Sequence, residues 1–104
     1  AMADYVVVKA ACVYELPDDL SYETGALIEP LSVATHAVRR AQIQLGETVL
    51  ILGAGAIGMM TAAMCRRSGA AQVIVADLSD SRLEMALQMG ATVAINSGRT
   101  DLEQ

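Results

Sequence analysis

The chain has 104 residues, a formal net charge of −5, and a hydrophobic content of 54% in which three Tyr are the only aromatic residues. That length allows one domain at most, and it is short for a doubly wound sheet with two mononucleotide halves. Seven scattered basic residues against twelve acids argue against a nucleic-acid face, and Cys12 and Cys65, far apart and without CxxC spacing, read as reduced core thiols.

From the N-terminus, residues 5–9 (YVVVK) and 12–15 (CVYE) read as strands, ended by the polar turn Leu16-Pro17-Asp18-Asp19. Asp4 and Lys9 interrupt the apolar start, so no secretory leader is expected and the expectation is a cytoplasmic protein. Ser21 can cap a short helix to about residue 27, which Pro30 stops. Residues 31–41 then place Leu31, Ala34, Ala37, Val38 and Ala41 on one helical face, closing before Leu45-Gly46-Glu47. The two adjacent basic pairs, Arg39-Arg40 and Arg66-Arg67, read as solvated helix surface.

The most informative run is VLILGAGAIG, residues 49–58: four apolar residues suited to a buried strand, then Gly53, Gly55 and Gly58 in GxGxxG spacing. The first glycine permits a tight turn, the second lets backbone approach a pyrophosphate, and the third lets the following helix pack close to the strand. A second strand candidate, residues 73–76 (VIVA), ends in Asp77, 19 residues after Gly58. A dinucleotide-binding unit of the Rossmann type places its ribose-binding acid at about that distance, roughly 20 residues on. Residues 48–65 carry no charge, but the three glycines and two threonines inside the run favour two short elements over one membrane-spanning helix.

The first helix of this unit is expected from about residue 56 to 68, with Ile57, Met60, Ala63 and Met64 inward and Gly69 as its stop. A second helix begins near Asp80, with Ser81 and Glu84 at capping-box spacing, Leu83, Ala86 and Leu87 inward, and Gly90 ending it. Residues 92–95 form a third strand, before a polar tail from residue 96 to 104. The fold class is therefore α/β, the first βαβαβ half of a Rossmann-type parallel sheet, preceded by strands and helices.

Glu29 stands apart, a lone carboxylate in ALIEPL with an extended conformation expected from the following proline. It reads either as a surface acid at a helix break or as a carboxylate meeting a metal, a cation or hydrogen-bond donors, since an isolated buried charge is too costly.

The strings GALIEPLSVATHAVRR, GETVLILGAGAIGMM and GAAQVIVADLSDSRLEMALQMGA, in that order, resemble the medium-chain zinc-dependent alcohol and polyol dehydrogenases, with the sorbitol (L-iditol, xylitol) dehydrogenase branch most similar. The resemblance runs from about residue 5 to 97. It implies that residues 1–20 end a catalytic domain, 21–46 form a helical connection carrying the EP pair, and 47–104 begin an NAD-binding domain. It makes Glu29 a residue of the catalytic zinc site, as ligand or as partner of the zinc-bound water, and Val33 a packing residue against the nicotinamide. Gly53, Gly55, Ala56, Ile57 and Gly58 map to the pyrophosphate turn, Asp77 to the adenosine-ribose acid, and Arg82 to the basic residue beside that ribose. Leu78, not an arginine, follows the acid, and an acid at this place repels a 2′-phosphate, so NAD is expected over NADP.

The implied activity is that of a zinc- and NAD-dependent oxidoreductase: zinc polarises an alcohol oxygen, a relayed proton leaves, and hydride passes to the nicotinamide. The expected partner is a small polyol or alcohol substrate, with the complete protein a homo-oligomer, no nucleic acid and no membrane. The family's principal zinc ligands, its structural zinc lobe and the second half of its cofactor fold have no counterpart in these residues, so the 104-residue chain alone is expected to be inactive. His36, on the helix after Glu29, reads as packing or surface. Threonine 3-dehydrogenase is an alternative, because residues 62–91 also resemble it. The alternative of a different class is a non-catalytic nucleotide-binding or assembly module.

Overall fold

The computed structural model describes residues 2–100. The two N-terminal strands expected from β-branched composition are absent. Residues 5–9 and 13–16 form no strand, and only a single 3-10 turn, Ala10–Cys12, with Lys9 and Val13 extended on either side, interrupts them. A strand is stabilised by a hydrogen-bonded neighbour, and among the described residues this segment has none, so its valines and tyrosines lie exposed. Cys12 is exposed as well, which corrects its reading as a core thiol, whereas Cys65 is buried.

Ser21 caps α1 (Tyr22–Gly25) as its type predicts, its hydroxyl accepting from the Thr24 amide at 3.2 Å. The next helix, α2 (Ile28–Ala41), begins before Pro30 rather than after it. Pro30 occupies the first turn, where amides have no intrahelical partner, so its missing N–H costs nothing there. Ala34 and Val38 are its buried positions, while Leu31, Ala37 and Ala41 remain exposed.

The βαβαβ unit forms as expected, with β1 (Thr48–Leu52), α3 (Ala56–Arg67), β2 (Gln72–Asp77), α4 (Asp80–Met89) and β3 (Val93–Asn96). The strands pair in parallel in the order β1-β2-β3, with Leu52 opposite Ala76 and Asp77 opposite Asn96. Both crossover helices pack on one face of the sheet and touch each other, and α2 packs on α3. The core joins Val73 and Val75 of β2 to Ala62 and Cys65 of α3, Leu83 and Ala86 of α4, and Val38 of α2.

Local details differ from the periodicity. On α3, Ile57 is exposed and the fully buried residues are Ala62 and Cys65, because a helix made of Ala, Met and Ile is apolar on every side and neighbours choose its inner face. On α4 the N-cap is Ser79, so Ser81 falls inside the first turn and the Ser81 and Glu84 capping box does not form; Leu87 is exposed. Arg66 is more than solvated surface: its Nη1 donates to the carbonyls of Ala70 (2.7 Å) and Ala71 (3.0 Å), fixing the chain after α3. On β1, Val49 and Ile51 pack against the core, but Leu50 and Leu52 point the other way and stay 54% and 73% exposed. The strand expected to be buried is thus covered on one face only. Among the described residues no helix is long and apolar enough to cross a membrane.

Candidate functional site

The glycine turn continues the β1–β2 ladder past the strand. The Gly53 amide donates to the Ala76 carbonyl at 2.7 Å, and the next amide, Ala54, donates to Asp77 Oδ2 at 2.7 Å. Gly53 reverses the chain at φ 102°, a left-handed conformation that a side chain disfavours. At Gly58 the demand is steric, since a Cβ there would overlap the Gly53 carbonyl oxygen. Gly55 is different: its φ of −74° suits any residue, and a Cβ there would meet nothing within 4 Å. Neither backbone nor packing requires glycine at this place, which leaves room for a group approaching from outside.

Gly55 is also the N-cap of α3 and offers no side-chain acceptor, and the first turn contains no acid. The leading amides of the helix therefore keep their donors for an anion, reinforced by the helix dipole. A hollow of about 580 Å³ lies here, lined by Gly53, Gly55, Ala56, Ile57, Gly58 and Thr61 with the end of β1.

Asp77 closes β2 on the other side of the turn. Its Oδ2 accepts from Ala54 and its Oδ1 from the Ser79 amide at 2.9 Å, an Asx-type bond two residues on. These two amides, with the Arg82 charge as a smaller contribution, hold the carboxyl below the usual aspartate range and so keep it ionised. A carboxylate offers about four lone-pair positions, so two remain for a ligand. Asp77 lines a second hollow of about 610 Å³ with Leu52, Gly53, Leu78, Ser79, Arg82 and Ser97. Leu52 and Gly53 border both hollows. The structure thus brings together Gly53, Gly55, Ala56, Ile57, Gly58, Asp77 and Arg82: anion donors at one end, a paired acceptor suited to a vicinal diol at the other.

Glu29 and Val33 lie elsewhere. Both are on α2 and line neither hollow. Glu29 is helical and exposed in the first turn, not extended, because α2 overrides the preference that a following proline imposes; its carbonyl accepts from Ser32 Oγ at 2.7 Å. Val33, one turn on, is exposed. His36 is exposed too, beside a shallow hollow along α2 with Leu31, Thr35 and Arg39. Among the described residues no three His, Cys, Asp or Glu side chains stand together in a way that could hold a metal ion. The donors described therefore do not fit a zinc centre by themselves.

Three neighbours of the acid escaped the spacing argument. Ser79 and Ser97 line the hollow, and Asn96 ties its two sides by hydrogen bonds to Leu78 and Asp80. That amide, followed by Arg99, holds the Asp80 carboxyl below its ordinary range. The only sequence sign was a turn-forming Asn-Ser-Gly after an apolar strand.

A sequence profile of the family described as zinc-binding dehydrogenase matches residues 56–104. Human sorbitol dehydrogenase is 52% identical over 86 residues, which is 83% of this chain and 24% of that protein. L-threonine 3-dehydrogenase of Shewanella woodyi is 42% identical over 103 residues, 99% of this chain and 30% of its own length. The chain thus spans about a quarter of the length of the curated relatives it matches. Among solved structures, an alcohol dehydrogenase from Escherichia coli CFT073 complexed with NADH superposes with a TM-score of 0.85 at 34% identity, covering 92% of this chain and 29% of that one. A zinc-binding dehydrogenase from Sinorhizobium meliloti 1021 bound to NADP gives 0.80 at 35% identity, covering 86% and 26%.

Proposed function

Because the chain belongs to the medium-chain zinc-dependent alcohol and polyol dehydrogenases, we propose that the complete protein oxidises a polyol or secondary alcohol with NAD, and that this segment carries the adenosine and pyrophosphate part of the cofactor site. The observation that supports the reading most is the placement of an ionised Asp77 carboxylate, with acceptor positions to spare, beside the open N-terminus of α3. The bound dinucleotide supplies the hydride acceptor; the chain's own residues bind and orient it. Amides at Ala56, Ile57 and Gly58 take the pyrophosphate, Gly55 admits it, and Asp77 accepts from the ribose hydroxyls with Arg82 alongside. Val33 would pack against the nicotinamide, and Glu29 would face a catalytic zinc as ligand or as partner of its bound water, the zinc polarising the alcohol oxygen when held chiefly by residues outside this segment. On this reading residues 1–20 end the catalytic domain, 21–46 connect, and 47–104 begin the cofactor domain. The complete protein works on a small molecule as a homo-oligomer.

Relatives carry either dinucleotide, and Asp77 favours NAD, because its charge opposes a 2′-phosphate. The test is steady-state kinetics of the complete protein with sorbitol or xylitol. NAD is expected to be preferred, and Asp77→Ala to narrow the preference while weakening NAD binding about tenfold to a hundredfold. Equal use of NADP by the unaltered enzyme would overturn the assignment. L-threonine belongs in the same assay, since the threonine dehydrogenase match extends over nearly the whole chain; turnover of threonine in preference to polyols selects that reading.

A further inference from the structure

Asn96 ends β3 in register with Asp77, yet it does not line the hollow that Asp77 opens into. Its carboxamide bridges the two segments that do. Nδ2 donates to Asp80 Oδ1 at 2.6 Å and to the Leu78 carbonyl at 3.2 Å, while Oδ1 accepts from the Gly98 amide at 3.0 Å. Its backbone carbonyl also accepts from the amides of Arg99 and Thr100, at 3.0 and 3.1 Å. One planar group therefore joins the loop leaving β2, which supplies Leu78 and Ser79, to the turn leaving β3, which supplies Ser97. Both segments border the same hollow, and the Ser97 amide also donates to the Asp77 carbonyl at 3.1 Å. The Arg99 to Asp80 ion pair, 2.7 Å long, spans the same two segments, but both side chains are more than half exposed, and such pairs contribute little. Asn96 is half-buried, and its carboxamide adds three hydrogen bonds to that exposed ion pair.

We propose that Asn96 is a positioning residue for the adenosine end of the dinucleotide site, setting the separation of the Leu78 and Ser97 walls without touching the ligand. This rests on the reading of the hollow as the adenosine site. An amide is suited to the task because it presents donors towards Asp80 and Leu78 and an acceptor towards Gly98 at once, which neither a carboxylate nor an aliphatic side chain can do. Loss of the bridge leaves the Leu78 carbonyl and the Gly98 amide to find water and leaves the two segments held by the Ser97 to Asp77 backbone bond and the exposed ion pair, so the effect falls on ligands that contain adenosine.

The experiment uses the complete protein with Asn96→Ala and the near-isosteric Asn96→Asp, each checked by thermal melting. KM for NAD, kcat, and competitive inhibition by AMP and by nicotinamide mononucleotide are measured. Both variants are expected to raise KM for NAD and Ki for AMP about tenfold. Turnover and inhibition by nicotinamide mononucleotide stay within about twofold, because their contacts lie away from this wall. Unchanged Ki for AMP in Asn96→Ala overturns the proposal, as does a fall in kcat alone, which marks a role in folding only. Wild-type AMP inhibition in Asn96→Asp also overturns it, since that variant keeps the acceptor for Gly98 but loses the donors to Leu78 and Asp80 and sets a second carboxylate against Asp80. An unaltered protein that binds neither NADH nor AMP rejects the dinucleotide reading itself, an outcome distinct from any of these.

Discussion

Glu29 shows how one residue can be placed by resemblance and tested by chemistry. It is an exposed acid in the first turn of α2, where the helix dipole stabilises negative charge, and that alone would explain its presence. The zinc-site reading makes a stronger demand. Glu29→Gln in the complete protein should lower turnover about ten- to a hundredfold and leave NADH affinity nearly unchanged. Normal turnover with full zinc content would leave Glu29 a surface acid, whose replacement alters stability by no more than roughly 0.5 kcal/mol. The two shifted acids have a separate consequence. The carboxyls of Asp77 and Asp80 both titrate below their ordinary range in the folded chain, so the unfolded state binds protons first as pH falls. Their contribution to stability is complete above about pH 4, the ordinary aspartate range, and is lost as pH drops through the lower folded values. Urea unfolding of the protein between neutral and acid pH should show this loss, and Asp77→Asn should make the curve flatter. An identical slope in the variant contradicts the assignment.

At the scale of elements, the glycine turn separates folding from binding. Gly58→Ala drives a Cβ into the Gly53 carbonyl, so α3 must shift from β1. A loss of about 1–3 kcal/mol in stability is expected, as for other overpacked sites, together with weakened dinucleotide binding. Gly55→Ala meets no protein atom and should change stability within about 0.5 kcal/mol, yet weaken NADH binding because the new methyl stands where the ligand approaches. Fluorescence titration and chemical unfolding on both variants check the contrast; equal stability losses would remove it. The turn and the parallel strands were legible because their signals are local: apolar runs bounded by glycines, and an acid at a fixed remove. Residues 5–9 and 12–15 were misread because β-branched composition says nothing about whether a partner strand is present. The start of α2 was misread because proline stops a helix only beyond its first turn. Asn96 could not be found from spacing, since its role exists only once β3 takes its register on β2.

For the molecule as a whole, the sheet is a two-layer structure with one helical face and one bare one. Both outer strands, β1 and β3, have an unpaired edge among the described residues, and the exposed apolar side chains on the sheet concentrate on β1 at Leu50 and Leu52 rather than on the third strand. Exposed ladder groups beside apolar surface favour association. The isolated 104-residue chain should therefore dimerise or aggregate, and light scattering that finds a stable monomer at high concentration would contradict this.

The bond from the Ala54 amide to Asp77 has a consequence for changing the coenzyme by protein engineering. The carboxylate that would repel a 2′-phosphate is also the acceptor that pins the glycine turn proposed to take the pyrophosphate. Removing it to admit NADP leaves an amide without its partner and loosens the cradle that both coenzymes share, so a switch made at Asp77 alone trades selectivity for affinity. Leu78 is a freer lever. Its side chain is 73% exposed on the rim of the hollow, while its backbone carbonyl, not its side chain, holds the bond from Asn96. A basic residue introduced there could meet a 2′-phosphate and leave the turn's own fastening in place.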